Sequence, residues 1–235
     1  MADIWNQKCI LSPSLISCCD LCDLTGSVRK LENAGIEMLH VDILDGHFSP
    51  SMPLGLDTVR QLRKKTNMIF DVHLMTTTHD FLVSELLDIG VEQLVFHGEM
   101  ESHMDYRLNQ IRKAGVRAGI ALKPATPLSS LEYVLEKCDA VLLMLINPGY
   151  AQEKSEGQVP YAARKVNELH EMIASRGLDT KVILDGRISK QNMADFGPEG
   201  IADIFVAGST CLDKSDLENS AKALIDYGKS ILREV

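Results

Sequence analysis

Residues 25–42 read TGSVRKLENAGIEMLHVD, and this stretch decides the fold. From Thr25 to Ala34 apolar residues recur at three- and four-residue intervals, Gly35 stops the helix this spacing predicts, and Met38 to Asp42 follows as a short β-rich run. A helix that ends on glycine and feeds an apolar strand is the repeating unit of an alternating α/β chain.

The unit recurs along the whole sequence. β-rich runs at Cys9 to Ser14, Met38 to Asp42, Ile69 to Leu74, Gln93 to His97, Arg117 to Leu122, Ala140 to Ile146, Lys181 to Asp185 and Asp203 to Ala207 make eight. Amphipathic segments at Leu56 to Lys65, Asp80 to Ile89, Met104 to Ala114, Leu128 to Lys137 and Tyr161 to Ser175 lie between them, and residues 213–235 read as the last helix. Gly90, Gly115 and Gly177 repeat the stop made by Gly35. Parallel strands joined by right-handed crossovers follow, and eight of them favour a closed (β/α)8 TIM barrel over an open sheet. No Pro/Gly/Ser-rich linker or shift in composition divides the chain, so residues 1–235 are expected to form one barrel domain. Two connections are longer than the rest, Gly46 to Leu54 and Asn147 to Pro160. Both follow strand C-termini, where ligand loops lie in this architecture.

Charge and cysteine content exclude several classes. With 24 basic against 33 acidic residues the formal net charge is -9, which disfavours nucleic acid and anionic membrane surfaces as partners. An anionic substrate must then be held by local groups. The six cysteines, with no signal peptide or membrane-spanning run, predict a reduced, cytoplasmic protein. Cys19 and Cys22 form a lone C-x-x-C pair, two ligands short of a structural zinc site.

Chemistry gathers at the strand ends. His40 and Asp42 stand two residues apart and so share a strand face; Asp71 and His73 repeat the spacing on the third strand, with Met75 continuing it, and Asp185 ends the seventh. Taken singly, a strand-end aspartate often caps the next helix and a lone histidine is usually a structural group. Together, two imidazoles and two carboxylates on one rim match a mixed N/O site for zinc or another divalent first-row metal. His97, which ends the fourth strand, is a weaker candidate, for a place behind these four. His79, His103 and His170 fall on helices or loops and read as solvated.

The stretches LSPSLISCCDL, HVDILDGHFSPSMPLG, FDVHLM, GIALKPATPL, VLLMLINPGY, ILDGRIS and VAGSTCL, in that order, resemble those of the ribulose-phosphate 3-epimerase family, which includes allulose-6-phosphate 3-epimerases. The resemblance implies a metal-dependent (β/α)8 barrel that inverts C3 of a ketose phosphate. It implies one divalent ion (zinc, manganese, iron or cobalt) on His40, Asp42, His73 and Asp185, with Asp42 and Asp185 as the acid/base pair acting through a metal-stabilised enediolate. Ser14, His73, Met75 and Met144 would meet the sugar, with Leu44 replacing a further methionine. A homo-oligomer, dimer or larger, is implied as well. The expected reaction converts D-ribulose 5-phosphate to D-xylulose 5-phosphate; a six-carbon ketose phosphate is the alternative, and a noncatalytic sugar-phosphate binder the reading from another class.

At the phosphate end the chain departs from the family. Gln152 and Arg187 stand where glycines are usual, whereas Gly149, Gly186, Gly208 and Ser209 remain. Losing glycine removes easy access to positive φ. Arg187 is expected to supply a bidentate clamp for phosphate instead, with closure of the pocket against the usual substrate as the alternative, and Glu153 to face solvent or pair with Lys154 or Arg187. Lys123 is divided between lining the pocket and a structural role.

Overall fold

The computed structural model describes residues 4–150, 153 and 155–233. Gln152 and Lys154 lie outside the described residues. Strands β1 (Ile10–Pro13), β2 (Met38–Leu44), β3 (Ile69–Met75), β4 (Gln93–His97), β5 (Arg117–Leu122), β6 (Ala140–Met144), β7 (Lys181–Asp185) and β8 (Ile204–Ala207) form one parallel sheet, ordered β1-β8-β7-β6-β5-β4-β3-β2. A single parallel bridge from Ser14 to His40 joins β1 to β2 and closes the sheet on itself. The result is the (β/α)8 TIM barrel that the repeating unit predicts.

Helices α1 (Leu15–Cys18), α2 (Leu24–Ala34), α3 (Leu56–Arg63), α4 (Asp80–Ile89), α5 (Met104–Lys113), α6 (Ala162–Ser175), α7 (Lys190–Phe196) and α8 (Leu217–Ile231) occupy the crossovers and the C-terminal segment. Gly35, Gly90, Gly115 and Gly177 all adopt positive φ, as helix-stopping glycines should.

Burial on both faces explains why the strands read as near-continuous apolar runs. All seven residues of β2 are buried. Leu39, Val41 and Ile43 join the layer between sheet and helices. Met38 instead packs inside the barrel with Ile10, Val95, Leu142, Ile183 and Ile204. His40 and Asp42 share Met38's face, so the alternation that builds the core also carries the polar residues into the barrel mouth. Register completes the placement: His40 pairs with Asp71 and Asp42 with His73 across β2 and β3, and Met144 pairs with Asp185 across β6 and β7.

Two segments differ from their reading. Leu128 to Lys137, predicted as one amphipathic helix, forms two 3-10 turns, Leu128–Leu131 and Leu135–Lys137. Leu131 and Leu135 are both buried, so the four-residue spacing is satisfied without an α-helix. Ser130 Oγ donates to the Pro127 carbonyl, the local competition that favours tight turns over helix. Conversely, α7 lies where no amphipathic segment was singled out, and a reciprocal capping box between Ser189 and Asn192 starts it.

Candidate active site

The strand ends bring His40, Asp42, His73 and Asp185 together, with one donor atom from each lying within 4.8 Å of the others. His40 Nε2 is 3.3 Å from Asp42 Oδ1 and 3.8 Å from Asp185 Oδ2. His73 Nδ1 is 3.7 Å and 3.5 Å from the same two oxygens. Both nitrogens are buried and neither makes a hydrogen bond. Leaving a buried polar atom unpaired costs roughly 1–3 kcal/mol, so two such atoms facing two carboxylates mark a place for a cation.

The opposite ring nitrogens decide which lone pairs are available. Asp71 Oδ2 lies 2.8 Å from His40 Nδ1, and Asp71 Oδ1 accepts from Gln93 Nε2 at 2.9 Å. A carboxylate accepts from the Nδ1–H, which leaves the Nε2 lone pair of His40 facing the cluster. For His73 the chain runs outward: His73 Nε2 to His97 Nε2 at 3.0 Å, then His97 Nδ1 to Glu99 Oε2 at 2.9 Å. Burial pushes His97 down to about 4, so it is neutral. Glu99 falls to about 2: burial opposes ionisation there, but hydrogen bonds from His97, Thr126 and the Lys123 amide prevail. His97 therefore donates to Glu99 through Nδ1 and accepts from His73 through Nε2. His73 is left with its Nδ1 lone pair toward the carboxylates.

Attraction between imidazoles and carboxylates dominates the electrostatics inside the cluster. Burial alone would lower His40, yet Asp42 and Asp71 hold it well above the usual imidazole range. His73 is raised against burial by Asp185 and Asp42. Burial would raise Asp42, but His40 and then His73 keep it well below the usual carboxylate range. Two outward-anchored imidazoles and two carboxylates fit one divalent metal ion. Asp71→Asn keeps the shape and removes the charge behind His40, so metal affinity should fall about 10–100-fold. Competition with a chromophoric chelator measures it; unchanged affinity would detach Asp71 from the site.

Above the cluster opens a cleft of about 230 Å³, lined by Ser14, Asp42, Leu44, Met75, Met144, Gly149, Asp185, Gly186, Arg187, Gly208 and Ser209 among others. Every residue expected to meet the substrate is on that wall except His73, which is fully buried beneath it. Ser14 Oγ donates to Asp42 Oδ2 at 2.7 Å, which leaves Oδ1 toward the imidazoles. Arg187 lines the cleft, but its Nε and one terminal nitrogen reach the carbonyls of Glu156 and Glu153. Glu153 faces solvent, as expected. The Lys123 ammonium sits over the Phe48 ring, 4.2 Å from its centre, and Phe48 in turn packs on His97, so Lys123 has a structural place.

His79 corrects the sequence reading: it is buried, 3.3 Å from Glu101 Oε2 and against Phe96, because the α4 cap turns inward. His103 is exposed and His170 half-buried. Sequence reasoning named Asp71 without giving it a task and missed Gln93 and Glu99. The first two share the inward face of their strands with His73 and His97, a readable signal. Glu99 lies in a 3-10 turn beyond β4, where periodicity says nothing.

The barrel and its two-histidine, two-aspartate floor define an enzyme class with a site fit for one metal ion. A model of the ribulose-phosphate 3 epimerase family matches residues 10–212. The ribulose-phosphate 3-epimerase of Escherichia coli (strain K12) is 34% identical, covering 97% of this chain and 98% of its own. The enzyme of that name from Methanocaldococcus jannaschii is also 34% identical, over 87% of this chain and 85% of its own. A solved 3-keto-L-gulonate-6-phosphate decarboxylase from Vibrio cholerae, 12% identical, superposes with a TM-score of 0.70 over 96% of this chain and 99% of its own, which speaks to fold alone. The chain belongs to the ribulose-phosphate 3-epimerase family. These relatives favour neither a six-carbon substrate nor a noncatalytic binder.

Proposed function

We propose that this chain interconverts D-ribulose 5-phosphate and D-xylulose 5-phosphate, with Asp42 and Asp185 as the two proton-transfer groups. One observation carries the assignment of residues: the two carboxylates come from β2 and β7, separated around the barrel by β1 and β8, yet both line one cleft and flank the same pair of imidazole nitrogens. Inverting a carbon next to a carbonyl needs a proton removed from one face and one returned to the other, and a single base serves both faces poorly. Asp42, as the ionised carboxylate, takes the C3 proton and leaves an enediolate. Asp185, entering this direction protonated, delivers a proton to the opposite face; the reverse reaction exchanges the roles.

His40, Asp42, His73 and Asp185 would hold a divalent ion, with zinc, manganese, iron and cobalt all compatible with this donor set. When bound, it supplies Lewis acidity to the reacting oxygens. Ser14 orients Asp42, while Leu44, Met75 and Met144 give the reacting end an apolar cover that limits water. Gly149, Gly186, Gly208 and Ser209 form the wall proposed for the phosphate, whose neighbouring backbone amides suit an anion.

A cytoplasmic setting fits six unpaired cysteines. Among the described residues no helix is long and apolar enough to cross a membrane. A homo-oligomer is proposed on the exposed Phe81 of α4 and Tyr106 of α5, two helices tied together by the Asp80–Arg107 ion pair.

Comparing turnover of D-ribulose 5-phosphate with that of D-allulose 6-phosphate tests the substrate. The five-carbon sugar should give the higher kcat/KM. A higher value for the six-carbon sugar would overturn the assignment.

A further inference from the structure

Arg187 is one of two non-glycine residues with positive φ among the described residues, at 50°, directly after Gly186 at 108°. The two positions have different demands. At Gly186 a Cβ would lie 2.8 Å from Ile146 Cγ1 and 2.9 Å from the Ile146 nitrogen, so only glycine fits where the chain leaves β7 beside the end of β6. At 187 a long side chain is accommodated in a backbone state that such residues rarely adopt.

That side chain has a specific destination. Its Nε donates to the Glu156 carbonyl, and a terminal nitrogen donates to the Glu153 carbonyl at 2.9 Å. These two residues are also bonded to each other, the Glu156 amide donating to the Glu153 oxygen. A planar guanidinium can bridge two such acceptors; a single ammonium point charge lacks that fork.

The same segment grips back. Gln158 Nε2 donates to the carbonyls of Gly186 and Arg187, at 2.9 and 3.1 Å. Glu156 Oε1 accepts from the backbone and side-chain nitrogens of Asn147, at 2.7 and 2.9 Å, which closes the connection near its start. Between Asn147 and Glu156 lies Gly149, at φ 83° and packed so tightly on Ser49 that a Cβ would approach its Oγ to 2.1 Å. Gly149 and Gly186 both line the cleft.

We propose that Arg187 is a positioning residue: it clamps Glu153 and Glu156 to the end of β7 and thereby holds Gly149 and Gly186 in register across the phosphate end of the cleft. It acts on substrate through those walls, by bonds to protein carbonyls present before any ligand arrives. The site it serves is the sugar-phosphate cleft proposed above, on which this inference rests.

Arg187→Asn tolerates positive φ and cannot bridge the two carbonyls; Arg187→Lys keeps the charge without the fork. Hydrogen exchange on the full-length, substrate-free chain should show the amides of Glu156, bonded to the Glu153 carbonyl, and of Val159, bonded to the Leu145 carbonyl, exchanging at least about tenfold faster in both variants, as expected when bonds from a charged donor are lost. With substrate, KM should rise about tenfold while kcat stays within about threefold. Should the asparagine variant fail to fold, the lysine variant carries both readings. Unchanged exchange in the substrate-free variants overturns the clamp. A raised KM with unchanged exchange, restored by lysine, assigns Arg187 directly to phosphate and overturns it as well. If the parent chain turns over no ketose phosphate, the proposed function fails, and the exchange result still decides the clamp.

Discussion

Asp185→Asn abolishes inversion at C3, lowering kcat by about 10²–10⁴, the range expected for loss of a positioned acid or base. Asparagine keeps the size of the side chain and an oxygen toward the imidazoles, so the barrel should stay folded, as circular dichroism would show. What it loses is the ability to give or take a proton. Asp42→Asn should fall by a similar factor, because each carboxylate serves one face of the sugar. The pair has a further signature: with Asp185 replaced, Asp42 should still exchange the C3 proton of the one epimer presented to it, without inversion. Full activity in either variant, followed by coupled assay or NMR of the epimers, would refute the two-base assignment.

Stripping divalent metal should remove turnover and make stability fall as pH rises. In the metal-free protein the carboxylates beside His40 and His73 raise both above the ordinary imidazole value of 6.5. A group raised in the folded state contributes stability that is complete below its unfolded value and is lost as pH rises through its folded value. The chelated protein should therefore lose stability as pH climbs above about 6.5, where deprotonated imidazoles leave Asp42 and Asp185 facing each other without a counter-charge. Metal competes with those protons, so affinity should strengthen over the same interval and uptake near neutral pH should release protons. Calorimetry in buffers of different ionisation enthalpy measures the release, and thermal melts of chelated and reloaded protein measure stability. Proton-independent binding, or turnover persisting in protein shown metal-free by elemental analysis, would remove the metal from the account.

Much of this is legible in the sequence. Residues 25–42 contain the whole logic of the barrel, because a buried parallel strand must be apolar on both faces and any polar residue in it stands out. His40, Asp42, His73 and Asp185 stood out for that reason. Their partners were half legible: Asp71 and Gln93 share inward faces, but only strand register shows that Asp71 meets His40. Glu99 was not legible, since a turn has no period. Leu128 to Lys137 misled because four-residue spacing fits two successive 3-10 turns as well as an α-helix. Arg187 was visible as an arginine in a glycine's place, but its direction depends on carbonyls of Glu153 and Glu156, more than thirty residues earlier, and no pattern in the sequence links them.

The two-base transfer at C3 is tested most directly by a single turnover of D-ribulose 5-phosphate by metal-loaded protein in deuterium oxide. The account predicts D-xylulose 5-phosphate carrying deuterium at C3, because the proton removed by Asp42 differs from the one Asp185 delivers from a solvent-exchanged carboxyl. Product that retains the substrate's own hydrogen at C3 would contradict it.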